Sequence, residues 1–165
     1  MYNSLLPKKN YVSYNLMRKL KLYNFMICTC KYPVLNLLVK IFTLHHETTD
    51  YYTARTKCEH LNQTLAMPKS QEIQEKMMRD IQAEIQDIQS GIEYVWMGMN
   101  DLDNNDRVFH WDDGSDLTWT NWHRGQPNNW RGDQDCNSFR ITRNWKWNDV
   151  ACDKVHLIYV CEIGE

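Results

Sequence analysis

From Ser70 onward the apolar residues fall on one line: Ile73, Met77, Ile81, Ile85 and Ile88, spaced four, four, four and three, with polar residues elsewhere. That spacing is the period of a helix burying a single stripe. Ser70 offers a side-chain cap at its start, and Ser90-Gly91 stops it. An earlier helix is predicted over Tyr51 to Leu61, behind Thr48, Thr49 and Asp50 as caps, with Tyr52, Ala54, Cys58 and Leu61 at helical spacing. Before it, Val39 to Thr43 is β-rich and apolar enough for a first strand.

From Tyr94 the pattern changes. Tyr94 to Met99 reads as a compact apolar strand, Asn100 to Asp106 as a polar turn, and Val108 to Trp111 as a second short strand. After a turn at Asp112 to Asp116 comes a long polar segment, Asn121 to Asp135, with Trp122 and Trp130 but little regular pattern. Connections in compact domains are usually shorter, which marks this one as functional or disordered. Strands at Ser138 to Thr142, around Trp145/Trp147, and at Leu157 to Glu162 close the chain. Helices first and strands afterwards define an α+β class.

Composition narrows the function. The chain has 165 residues, room for one domain and about forty residues beyond it. A formal net charge of -2 speaks against nucleic acid as a partner, because that function needs a basic surface. Seven Trp and nine Tyr in a loop-heavy chain supply aromatic anchors, and Trp stacks well on the apolar faces of sugars. No stretch reaches the roughly 18 apolar residues of a membrane span. No nucleophile-and-base arrangement, phosphate-cradling glycine loop or zinc spacing stands in the sequence, so an enzyme is not expected.

The six cysteines are Cys28, Cys30, Cys58, Cys136, Cys152 and Cys161. The last four sit among turns and polar residues, where a buried free thiol is out of place, so they read as a disulfide framework made in an oxidising compartment. The sequence by itself permits three pairings of four cysteines. Residues 1–38 form a leader or unstructured segment. The apolar run Leu22 to Cys30 behind Lys8, Lys9, Arg18, Lys19 and Lys21 is like a signal peptide ending near residue 30. An untidy leader with no fold is the alternative.

Two sets of motifs carry a resemblance. Cys58, Leu65-Ala66-Met67-Pro68 and Val95-Trp96-Met97-Gly98-Met99-Asn100-Asp101 form the first. Asn121-Trp122, Gln126-Pro127-Asn128, Asp135-Cys136, Trp147-Asn148-Asp149, Cys152 and Tyr159-Val160-Cys161-Glu162 form the second. In order and spacing, residues 39–165 resemble a C-type lectin domain, of the collectin or galactose-type kind. The resemblance implies two helices flanking two small antiparallel sheets, with a long loop for Ca²⁺ and ligand. It also pairs Cys58 with Cys161 and Cys136 with Cys152. The second bridge closes a loop of about 15 residues, which chain entropy puts at about 3 kcal/mol.

In members of that family that bind sugar, five side chains hold the principal Ca²⁺ and hydrogen-bond two vicinal sugar hydroxyls on it. The matching positions are Gln126, Asn128, Gln134, Asn148 and Asp149. Ca²⁺ takes six to eight hard oxygen ligands, and their negative charge tunes its affinity. Active members usually offer three carboxylates across these positions, whereas here Asp149 stands alone, so Ca²⁺ is expected as the cofactor with weakened affinity. Asp133 and Asp135 are near enough in sequence to substitute in part. An auxiliary Ca²⁺ site would fall on Asp101, Asn105 or Asp106, Asn129 and Asp135. The run from Asp101 to Asp112 also mimics an EF-hand loop, but it lacks the glycine at the sixth place and follows a strand.

The resemblance implies a secreted binder of glycans with terminal galactose or N-acetylgalactosamine, ahead of mannose, in innate recognition. Gln126-Pro127-Asn128 is a hybrid of the mannose-type and galactose-type triplets. Trp130 stands where galactose-binding members place a ring against the sugar, so the sugar-binding set is the five ligands plus Trp130. A sugar-independent protein- or mineral-binding module on the same scaffold is the alternative. Trp96, Trp111, Trp119 and Trp122 are assigned to the core beneath the loop. His45-His46-Glu47 reads as solvated at a strand end, and His110 and His123 as structural. Asn62-Gln63-Thr64 is a glycosylation acceptor, at Asn62.

Overall fold

A computed structural model describes residues 40–86, 91–102, 107–154 and 156–164. The proposed leader, with Cys28 and Cys30, lies outside the described residues, as do Ile88, Ser90, Asn105 and Asp106. The described residues fall in one compact unit, Val39–Glu165.

Strand β1 (Ile41–Thr49) leads directly into helix α1 (Tyr51–His60). Asp50 is the cap between them: its carboxylate accepts from the Thr53 amide at 2.8 Å, satisfying one of the donors a helix start leaves open. The cap places Tyr51, Ala54 and Cys58 on the buried face. Tyr52 and Leu61, expected on that face, are 51% and 50% exposed. Ala54 and Cys58 are buried as the spacing implies, and the difference is at the ends: Tyr51, next to the cap, is buried in place of Tyr52, and Leu61 lies past the last helical residue. Strand β2 (Thr64–Leu65) follows, then helix α2 (Gln71–Gln86), whose first turn is capped by the Ser70 hydroxyl on the Ile73 amide at 3.2 Å. Met77 and Ile81 are fully buried along the predicted stripe, each contributing about 1.5–3 kcal/mol on transfer from water, with Ile73 and Ile85 packed beside them.

Strands β3 (Tyr94–Asn100), β4 (His110–Trp111), β5 (Cys136–Arg140), β6 (Lys146–Val150) and β7 (Leu157–Ile163) complete the fold. The central order is β1-β7-β3-β5-β6, with β2 on β7 and β4 on β3. The two small sheets expected are therefore joined. Val95 and Trp96 of β3 pair in parallel with Ile158 and Tyr159 of β7, while the remaining pairings are antiparallel. Both strands are buried, so their backbone groups need partners, and this short parallel ladder supplies them. The predicted strand at Trp145/Trp147 starts one residue later, because Trp145 takes a left-handed turn at φ 58°.

Gly98 in β3 lies against the backbone of β2. A Cβ there would sit 2.9 Å from the Leu65 carbonyl oxygen and 3.0 Å from Met67 Cγ, so only glycine permits the approach. The cysteines pair as the resemblance implied. Cys58–Cys161 ties α1 to β7 with Cα atoms 5.6 Å apart, and Cys136–Cys152 ties β5 to the turn after β6 at 5.1 Å.

The His45 expectation is corrected. β1 runs past it to Thr49, so His45 lies within a strand, its ring stacked on Tyr159 with centroids 4.6 Å apart. Burial lowers its pKa below the usual 6.5, with His46 and Lys57 acting in the same direction and Glu47 opposing. His46 is exposed and lies 3.7 Å from Glu84.

Candidate functional site

Trp147 positions the site. Its ring is fully buried, and Trp111, Trp119 and Trp122 meet it edge-on at centroid distances of 5.7, 5.1 and 5.7 Å. Edge-to-face contacts of this kind add to what area burial alone provides. Trp147 Nε1 donates to Gln74 Oε1 of α2 at 2.8 Å, and Gln74 Nε2 reaches the Trp145 carbonyl at 3.3 Å. The Trp147 backbone accepts from the His123 amide and donates to the Asn121 carbonyl, both at 2.9 Å. These bonds fasten the start of the long loop to β6. The next two residues of β6, Asn148 and Asp149, are thereby held under the loop.

The five predicted ligand residues come together as one hydrogen-bonded group. Asp149 Oδ2 accepts from the amides of Asn128 and Asn129 at 2.9 and 2.6 Å. Gln126 Nε2 donates to Asn148 Oδ1 at 2.9 Å, and Asn148 Nδ2 donates to the Asp149 carbonyl at 2.6 Å. The Trp130 amide is shared by Asn128 Oδ1 at 3.0 Å and Gln134 Oε1 at 2.7 Å. Gln134 in turn donates its amide to Asn129 Oδ1 at 3.0 Å. A cis peptide joins Gln126 to Pro127.

Two oxygens in this group have no hydrogen-bond donor although both are buried: Asp149 Oδ1 and Gln126 Oε1. Leaving a buried polar atom unsatisfied costs about 1–3 kcal/mol, a cost that a bound partner at these two residues would relieve. Both are hard oxygens, and a divalent cation would meet them with the kind of ligand it prefers. The donor set thus fits Ca²⁺ in atom type and is short of it in charge, with Asp149 its one carboxylate. Among the described residues, no cluster of three or more His, Cys, Asp or Glu could hold a metal by itself.

The auxiliary set is only partly assembled. Asp101 and Asn129 line one small cleft with Arg107, Asn128 and Asp149. Asp135 is tied to Asp101 through its backbone carbonyl, which accepts from the Asp101 amide at 2.9 Å. Asn105 and Asp106 lie outside the described residues, and Asp133 is exposed at the far side of the short helical turn Trp130–Gly132. Trp130 is 59% exposed, and one face of its ring carries the Arg131 guanidinium, 4.0 Å from the centroid. Asn62 is exposed just beyond α1, in a left-handed turn at φ 55°.

Sequence reasoning missed two buried amides. Gln74 lies on the buried face of α2 with Met77 and Ile81, and nothing local shows that Trp147 is its partner. Asn137 is fully buried in β5, directly across from Asp149 in register, and neither end of its carboxamide has a partner. Facing residues of an antiparallel pair hold their Cβ atoms within about 5.5 Å, so Asn137 stands beside the carboxylate. An amide inside the β5 sequence Cys136-Asn137-Ser138-Phe139, directly after the first cysteine of the Cys136–Cys152 bridge, was the available signal.

The family profile described as "Lectin C-type domain" matches residues 47–163. The chain belongs to the C-type lectin domain family. A perlucin-like protein of Mytilus galloprovincialis is 43% identical over 67 residues, which is 40% of this chain and 42% of that protein. Collectin-11 of Bos taurus is 29% identical over 126 residues, 76% of this chain and 44% of that protein. The chain thus spans less than half the length of these relatives. Among solved structures, the mouse scavenger receptor C-type lectin carbohydrate-recognition domain superposes with a TM-score of 0.64 at 27% identity, covering 82% of this chain and 97% of that one.

Proposed function

We propose that this domain is a carbohydrate-recognition module that binds a terminal sugar on a Ca²⁺ ion held by Gln126, Asn128, Gln134, Asn148 and Asp149. The observation that carries the reading is the pair of buried, unpartnered oxygens on Asp149 and Gln126 inside a closed ring of amides. The bound ion would supply two coordination positions for vicinal hydroxyls, while Gln126 and Asn148 orient the sugar by hydrogen bonds. With one carboxylate in the set, affinity for the ion is low, and binding requires the Ca²⁺ levels found outside cells. Disulfides, the exposed acceptor at Asn62 and relatives named as collectins support a secreted glycoprotein acting in innate recognition. Its role is binding and not turnover. Among the described residues, no helix is long and apolar enough to cross a membrane.

Galactose or N-acetylgalactosamine is preferred to mannose, because Gln126 replaces the acid of the mannose-type triplet and Trp130 stands exposed beside the site. The missing carboxylates favour a second reading, a protein- or mineral-binding module that uses no sugar. Affinity chromatography of the oxidised protein on galactose and mannose resins separates the two. Retention on galactose in Ca²⁺ with release by a chelator is the expected result. Passage through both resins, with no Ca²⁺-linked gain in thermal stability, would leave the second reading standing.

A further inference from the structure

Arg131 is the unusual residue of the long loop. It is exposed, and it holds a left-handed backbone at φ 68°, a conformation that residues with side chains rarely keep without cause. Its guanidinium lies 4.0 Å from the Trp130 ring centroid. No carboxylate among the described residues pairs with it. The pair is anchored to the site, since the Trp130 amide is held by Asn128 and Gln134.

This arrangement changes what Trp130 can do. A guanidinium stacked on an indole leaves its N–H edges free to donate, and it covers a face that a neutral sugar would otherwise use. A flat cation with free edges matches a carboxylate or sulfate, which it can bind through two parallel hydrogen bonds. The ligand set carries a single carboxylate, Arg107 lines the adjoining cleft together with Asp101 and Asp149, and Asp133 is exposed two residues from Arg131. An anion beside such a site meets far less repulsion than beside three carboxylates.

We infer that Arg131, stacked on Trp130, selects saccharides bearing a carboxylate or sulfate next to the hydroxyls bound at the ion. The ligand class is therefore an acidic galactose-type glycan. The inference rests on the sugar-binding function proposed above and refines its ligand.

Binding of the intact oxidised chain to galactose, galactose 6-sulfate and galacturonic acid, each in Ca²⁺, tests it: both acids carry their charge at C6 and leave the ring hydroxyls free. The readout is the ratio of acidic to neutral affinity. Wild type should favour at least one acidic sugar about tenfold, the scale of one charge-assisted pair. Which acid is preferred separates sulfate from carboxylate as the group recognised. Arg131→Gln should bring the ratio near one, Arg131→Lys should keep part of it, and Arg55→Gln, in α1, should leave it unchanged. A wild-type ratio near one with galactose still bound, or a preference that survives Arg131→Gln, overturns the inference and spares the sugar-binding function. Binding of none of the three sugars would overturn both.

Discussion

The disulfide-bonded sheet and the long loop above it solve opposite problems. In the sheet, apolar side chains are buried and backbone groups pair strand to strand, with Asn137 of β5 a buried exception beside the site. In the loop from Asn121 to Asp135 the contacts are amide to amide and amide to the Asp149 carboxylate of β6, and at that seam Gln126 Oε1 and Asp149 Oδ1 remain without donors. The sheet is built to persist without a partner, and the loop to accept one. Trp147 joins them: its ring belongs to the core, while its backbone holds the loop and leads into Asn148 and Asp149.

The contrast can be broken first at its strongest point. Cys58–Cys161 closes a separation of 103 residues, so replacing both with alanine should cost about 4–5 kcal/mol, read as a lower denaturant midpoint. A loss below about 1 kcal/mol would mean that the sheet does not depend on its tie to α1. Gly98→Ala should cost about 1–3 kcal/mol, because the new methyl meets the Leu65 carbonyl, and neither atom can yield without moving a strand. Neither change should abolish a Ca²⁺ response in protein that remains folded.

Asp149→Asn makes the reverse experiment. Wild type should gain about 1.4 kcal/mol of thermal stability when free Ca²⁺ reaches about ten times its dissociation constant. The variant should gain nothing while its fold, judged by circular dichroism, is retained. An equal gain in both would place the ion elsewhere.

The smallest effect expected is one of pH. His45 has a folded-state pKa below its ordinary 6.5 because burial disfavours its charge. Below that pH the unfolded chain takes up a proton that the folded one refuses, so stability falls as the solution is acidified from 6.5 toward the lowered value. Melting temperature followed through this window should drop for wild type and less steeply for His45→Phe. Parallel curves would show that His45 does not carry the effect.

How much of this was legible in the sequence follows the same division. The α2 stripe, the Ser70 and Asp50 caps, the cysteine framework and the clustering of Gln126, Asn128, Gln134, Asn148 and Asp149 could be named because each depends on local spacing or on a resemblance in order. Which tyrosine opens the buried face of α1 could not, since Tyr51 and Tyr52 are adjacent and similar, while Ala54 and Cys58 follow the spacing. Gln74, Asn137 and Arg131 were illegible for another reason. Each is a polar residue whose meaning comes from a neighbour set by the fold: Trp147 for Gln74, Asp149 for Asn137, and the Trp130 ring for Arg131. His45 was misjudged because the strand outruns its apolar stretch, and only the Tyr159 ring explains its burial.

Amide hydrogen exchange, followed residue by residue with and without Ca²⁺, tests the central contrast most directly. Slowed exchange should be confined to the loop amides of Asn128, Asn129, Trp130 and Gln134, with those of β1, β3 and β7 unchanged. Protection spread evenly over the sheet, or none at the loop, would contradict the account.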